Sequence, residues 1–165
     1  MQAALKLAME WLGEQPNTIF VGQSVCVPGT SMSSSFDNLP PEKRLEFPVA
    51  EELQLGVALG MSLEGIVPIC CFPRWNFLLL AANQLVNHLD RLPLYSNYKP
   101  KVIIRVAVGR SQPLDPGPQH QDDCTVAFRL LLKTVKVVRL RDKSGVLLAY
   151  QTAYYSGGST LIVEG

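Results

Sequence analysis

The sequence predicts an α/β protein: a mostly parallel sheet flanked by helices on both faces. Two observations carry that prediction. Short apolar runs alternate along the chain with segments of helical spacing, and helices between successive strands imply a parallel sheet covered on both sides. The run Ile66–Phe72 is also continuously apolar, as a strand buried on both faces must be, and Val102–Val108 reads as another buried strand. With 165 residues, 47% hydrophobic and 18% charged, the chain suits one domain over 1–165 with a core of its own.

The elements follow in order. Leu5, Ala8, Met9 and Leu12 recur at helical spacing, and Gly13 with Pro16 stops that helix. Thr18–Val21 is a short strand. Gly22–Glu46 is a long polar segment with Ser31, Ser33, Ser34, Ser35 and the Pro40-Pro41 pair, and a structureless loop of that length is usually functional or mobile. Pro48 opens a helix running through Glu64, with Gly65 as its stop. After the strand Ile66–Phe72, a helix is expected over Asn76–Arg91 with Leu78, Ala82, Leu85 and Leu89 facing inward. Val102–Val108 is a strand and Gly109–Asp123 a second polar loop. The chain then reads as helix Val126–Leu132, strand Val135–Leu140, helix Gly145–Tyr155 and strand Thr160–Glu164, which makes five strands. Ligands of such sheets bind at the carboxyl ends of the strands, so function should concentrate in 22–46, 73–77 and 109–123.

Composition and motifs exclude several classes. Fifteen Lys and Arg against fourteen Asp and Glu leave a net charge of +1, too little for a nucleic-acid or anionic-membrane footprint. No stretch reaches the ~18 apolar residues of a membrane span. Met1–Glu14 is interrupted by Lys6, Glu10 and Glu14 and lacks the core of a signal peptide. Cys26, Cys70, Cys71 and Cys124 form no Cys-x-x-Cys pair and read as thiols of a reducing compartment, so a cytoplasmic location is expected. Glycine-rich phosphate loops, a His-Glu-x-x-His zinc motif and a Gly-x-Ser-x-Gly elbow are all absent, and two histidines cannot build a histidine-rich metal site.

A carboxylate, aromatics and a histidine remain. Glu51 and Glu52 lie in a first helical turn, where acids are favoured by the helix dipole. Adjacent helical positions point ~100° apart, so the two cannot share an environment. Phe72, Trp75 and Phe77 crowd a strand-to-helix junction, where core packing is the default for aromatics. His120 lies in the loop 109–123, where a lone histidine is more often a surface residue than a proton-transfer group.

These residues fall in a stretch that resembles a known family. Phe-Pro-Val-Ala-Glu-Glu at 47–52, Gly56 and Gly60, Glu-Gly-Ile-Val-Pro-Ile at 64–69, the run from Arg74 to His88, Val-Ile-Ile-Arg at 102–105 and Gly-Pro-Gln-His at 117–120 carry the likeness. Leu45–Asp123 resembles the β subunit of the first component of the 2-oxo acid dehydrogenases, the thiamine-diphosphate-dependent group that includes the pyruvate and branched-chain enzymes. Weaker matches extend the resemblance over nearly the whole chain. It implies a thiamine-diphosphate-binding fold of the pyrimidine-domain kind, without the C-terminal domain that the family's β subunit carries. It implies further that Glu51 is the glutamate hydrogen-bonding the pyrimidine ring nitrogen of thiamine diphosphate. By the same resemblance Phe77, with Trp75 near it, packs on that pyrimidine, and His120 transfers protons near the reacting carbon.

The sequence departs from the family at Glu52, where a methionine is usual, at Gln23 in place of an acid, and at Gln121 in place of a serine. The family's Gly-Asp-Gly…Asn-Asn motif for diphosphate and Mg²⁺ is absent. The resemblance therefore implies half a site, completed by a diphosphate-binding α-type subunit that holds the Mg²⁺, in a heterotetramer acting on a small 2-oxo acid. A split 2-oxo acid decarboxylase, a transketolase-like subunit and a non-catalytic regulatory homologue are the rival readings.

Overall fold

A computed structural model describes residues 1–109 and 115–165, so positions 110–114 of the predicted loop 109–123 lie outside the described residues. The described residues form six strands: β1 (Thr18–Gly22), β2 (Arg44–Glu46), β3 (Val67–Phe72), β4 (Ile103–Ala107), β5 (Lys136–Arg139) and β6 (Thr160–Glu164). They make one sheet in the order β2-β1-β3-β4-β6-β5, and every neighbouring pair is parallel. The predicted fold class is therefore the observed one.

Two apolar layers sandwich the sheet, because successive strand side chains point to opposite faces. On one face Phe20, Ile69, Cys71, Ile103 and Ile162 meet α1 (Gln2–Gly13) and α6 (Val146–Tyr155). On the other, Val21, Cys70, Ile104 and Leu161 meet α2 (Glu51–Leu63), α3 (Trp75–Leu80) and α5 (Thr125–Leu131). Cys70 and Cys71 thus belong to different layers. Burial raises both thiol pKa values, that of Cys71 to about 12. No helix among the described residues is long and apolar enough to cross a membrane.

The structure corrects the sequence reading in three places. The segment 22–46 is not structureless. It holds 3₁₀ turns at Ser33–Phe36 and Pro41–Lys43, buries Val25, Met32, Phe36 and Leu39, and ends in β2, the sixth strand. Three residues with charges at both ends carry no strand pattern, and pairing with β1 makes the strand. Second, α2 begins at Glu51 rather than Pro48, since Ala50 is still outside helical geometry at φ −151°. Third, the helix expected over 76–91 is broken into α3, a π-helical turn at Gln84–Leu89, and a short α4 (Leu92–Tyr95). Leu78, Leu85 and Leu89 face inward as expected, while Ala81 rather than Ala82 is the fully buried alanine.

Two buried charged groups fix this frame. Asp90, fully buried, accepts backbone N–H bonds from Lys133, Thr134 and Val135 at 2.9, 2.7 and 2.9 Å, anchoring the turn into β5. Glu164 takes both Nε and Nη2 of Arg105 at 2.6 and 3.1 Å and the Tyr150 hydroxyl at 2.5 Å. Arg105 Nη1 donates to Ser35 Oγ at 2.6 Å, tying the 33–36 turn to β4.

Candidate functional site

Two groups of side chains stand at the carboxyl edge of the sheet. The first is built where β1 ends beside the start of α2. Gly22 lies at φ +147°, and a Cβ there would strike the Cys71 carbonyl oxygen, so only glycine lets β1 pass this close to β3. The fully buried Gln54 donates from Nε2 to the same Cys71 carbonyl at 2.9 Å, stitching α2 to β3. Glu51 precedes Gln54 by three positions on the same helix face, and its side chain is 3% exposed. Glu52, turned outward, is exposed and accepts from Asn83 Nδ2 at 3.1 Å.

Glu51 Oε1 accepts a 3.0 Å bond from Gln23 Nε2. Gln23 is itself aimed by its neighbours. Ser24 sits in the left-handed region at φ 61°, and the Glu46 carboxylate clasps the N–H groups of Ser24, Val25 and Cys26 at 2.7, 2.9 and 2.7 Å. No Lys, Arg or His nitrogen among the described residues lies within salt-bridge distance of Glu51. It is a buried carboxylate at a helix N-terminus, held by one neutral amide and with acceptor capacity to spare.

The second group stands at the end of β3 and the start of α3. The rings of Phe77 and His120 stack with centroids 6.0 Å apart and planes 26° from parallel. His120 Nδ1 lies 2.9 Å from Asn76 Oδ1. His120 is the last residue of a 3₁₀ turn, Pro118–His120, whose carbonyl passes so close to Gly109 that a Cβ there would collide with it. Residues 44 apart in sequence, Asn76 and His120, thus meet in one cluster.

Trp75 does not join it. Its ring is 1% exposed and packed in the core, 5.1 Å from Phe128 between centroids, with Nε1 lacking a hydrogen-bond partner. Two residues along a helix turn the side chain by ~200°, so Trp75 and Phe77 point to opposite sides. The expected cofactor contact of Trp75 is therefore replaced by a core role. Asp123 is also engaged elsewhere, bonded to Thr125 and, at 3.1 Å, to Arg139 Nε. Partial burial works to raise its pKa, but the Thr125 hydroxyl and amide and the Arg139 guanidinium outweigh it and hold the carboxyl below the usual range. Sequence reasoning missed Gln23 as a partner of Glu51, and Asn76 altogether. Nothing local marks either, since each acts on a residue far along the chain.

For an aminopyrimidine the donor set fits: a buried carboxylate free to take a ring N–H, and a half-buried aromatic face at the same sheet edge. For a divalent cation it does not, since no three His, Cys, Asp or Glu side chains among the described residues converge to hold one.

The fold is that of the transketolase-like, thiamine-diphosphate-binding α/β proteins. A solved structure described as a split gene transketolase, inactive beta4 tetramer, superposes on 98% of this chain and 50% of its own at a TM-score of 0.76, with 22% identity. A transketolase from Campylobacter jejuni superposes on 98% of this chain and 24% of its own at 0.73, with 12% identity. In sequence the chain is similar to a more particular protein, the pyruvate dehydrogenase E1 component subunit beta. That of Cyanidium caldarium is 33% identical over 108 residues, 62% of this chain and 33% of that protein. That of Chaetosphaeridium globosum is 31% identical over 116 residues, 67% of this chain and 35% of that protein. The chain thus spans about a third of the length of these curated relatives. No protein-family profile matches it.

Proposed function

We propose that residues 1–165 form a single pyrimidine-binding domain. It would supply one side of a thiamine diphosphate site, and a separate diphosphate-binding α-type subunit would supply the other side together with the Mg²⁺. The reaction we assign is decarboxylation of a small 2-oxo acid, or transfer of its acyl or aldehyde unit, by a cytoplasmic heterotetramer. The observation that carries this reading is Glu51: a carboxylate buried with no cation paired to it among the described residues, at a sheet edge where the chain is similar to a thiamine-dependent dehydrogenase subunit. Leaving an acid in such a place costs stability unless a ligand completes it.

When bound, thiamine diphosphate would supply a nucleophilic carbon that adds to the 2-oxo carbonyl and a cationic thiazolium ring that takes up the electron pair released as CO₂ leaves. This chain's own residues do the rest. Glu51 orients the pyrimidine and holds or gives up the proton at its ring nitrogen. Gln23 keeps that carboxylate in place, Phe77 excludes water from one face, and His120 moves protons at the edge of the site. Calorimetric titration tests the half-site. Thiamine diphosphate with Mg²⁺ should bind tightly only when the diphosphate-binding subunit is present, and tight magnesium-dependent binding to this chain alone would overturn it. Release of CO₂ from 2-oxo acids, set against ketol transfer between sugar phosphates, separates the proposed reaction from a transketolase-like one.

A further inference from the structure

We infer that Asn76 is a positioning residue that fixes the tautomer of His120, keeping the ring proton on Nδ1 and leaving Nε2 as the atom that accepts and releases protons. What Nε2 then does rests on the function proposed above; the tautomer rests on geometry alone.

An amide oxygen can only accept, so a ring nitrogen 2.9 Å from Asn76 Oδ1 must carry a hydrogen. Asn76 is the second residue of α3, directly after the buried Trp75, so its side chain springs from a backbone the core has already fixed. Its neighbour Phe77 stacks on the imidazole with planes 26° apart. The two helix residues therefore constrain different freedoms of the ring. Phe77 sets its plane, and Asn76 sets its rotation within that plane. Gly109 fixes the root of the side chain by letting the end of the β4 segment lie against the His120 carbonyl. Among the described residues, no group hydrogen-bonds Nε2.

The arrangement suits repeated proton transfer. If the Asn76 amide were turned over, its NH₂ would donate to Nδ1 and suit only the neutral ring; on protonation two donors would face each other. With the oxygen toward Nδ1, the same bond serves both imidazole and imidazolium. A proton arrives at Nε2, forms the imidazolium and leaves from Nε2, and the ring need not reorient. This is the orienting role that a carboxylate or carbonyl plays for histidines in other proton-transfer sites, taken here by a neutral amide.

The experiment is ¹H–¹⁵N multiple-bond correlation on the ¹⁵N-labelled full chain at a pH where histidine is neutral. A His88→Gln variant identifies the signals of the other histidine. Wild type should show His120 protonated at Nδ1 and bare at Nε2. Asn76→Ala should shift the population toward the Nε2–H form that a free histidine side chain prefers. Asn76→Asp, which keeps an acceptor, should restore the Nδ1–H form and controls for a fold disturbed by the substitution. A wild-type ring protonated at Nε2, or an Asn76→Ala ring with its tautomer unchanged, overturns the inference. The expected tautomer in a chain whose His120→Ala variant still turns over normally with its partner would uphold the inference and sink the catalytic reading of His120.

Discussion

Under the proposed function, Glu51 opposes stability and serves catalysis. Moving a carboxylate out of water costs several kcal/mol, and the dipole at the start of α2 returns no more than ~2. Gln23 contributes a single neutral hydrogen bond. Glu51→Gln should therefore raise the melting temperature of the isolated chain while lowering turnover of the assembled enzyme by at least ~10²-fold, the low end for a proton-handling group. Glu52→Gln, on an exposed side chain, should leave both near wild type. A larger loss at Glu52 would mean that the wrong acid has been assigned. His120→Ala should cost turnover ~10²–10⁴-fold and leave cofactor affinity almost unchanged, because Glu51 and Phe77 still hold the pyrimidine. Only part of this was legible in the sequence. Helical geometry alone separates Glu51 from Glu52, and their exposures confirm the separation. Gln23 was not legible as the partner of Glu51, because a contact between positions 28 apart exists only once β1 and α2 are side by side. Trp75 was misplaced because a resemblance transfers a neighbourhood, whereas the ~100° step of the helix decides which neighbour faces the site.

Elements were legible in proportion to how much of their cause is local. β3 is a continuous apolar run because both its faces are covered, and β4 is apolar apart from Arg105, whose charge Glu164 pairs, so both could be read directly. β2 exists only through its ladder to β1, and the break after α3 depends on where Asp90 must reach to cap the 133–135 turn. The start of α5 carries a pH-dependent contribution of its own. The carboxyl of Asp123 titrates below the usual value when folded, so the stability it adds is complete above the unfolded value near pH ~3.9 and is lost as pH falls through the folded one. Its side chain is 38% exposed, so solvent screening limits the effect to ~1 kcal/mol or less. Asp123→Asn should therefore lower the melting temperature slightly at neutral pH and leave it unchanged in strong acid. A difference that grows on acidification would contradict that assignment. The thiols offer a second check on the layers. Cys26 is exposed, whereas Cys70 and Cys71 are fully buried with raised pKa values. An alkylating reagent under native, mildly alkaline conditions should modify Cys26 fast, half-buried Cys124 slowly, and the adjacent pair only after unfolding.

At the scale of the whole molecule, several large apolar side chains on and beside the helices of one sheet face stay exposed. Leu53 on α2 is 55% exposed, Leu80 at the end of α3 63%, and Leu130 on α5 76%, with Val49, just before Glu51, at 75%. These helices cover the same sheet face. Under the proposed function, these side chains are candidates for contact with the second subunit that would close over the pyrimidine. One partner docked on this face would both complete the proposed site and cover these side chains. Leu53→Lys and Leu80→Lys test that geometry, since a charge on an exposed position costs a monomer little, usually within ~0.5 kcal/mol. The variants should melt like the wild-type chain, yet light scattering with the diphosphate-binding subunit should show the heterotetramer weakened or lost, and thiamine diphosphate binding should fall with it. If both variants assemble as well as wild type, the partner sits on another face and the site is completed from a different direction.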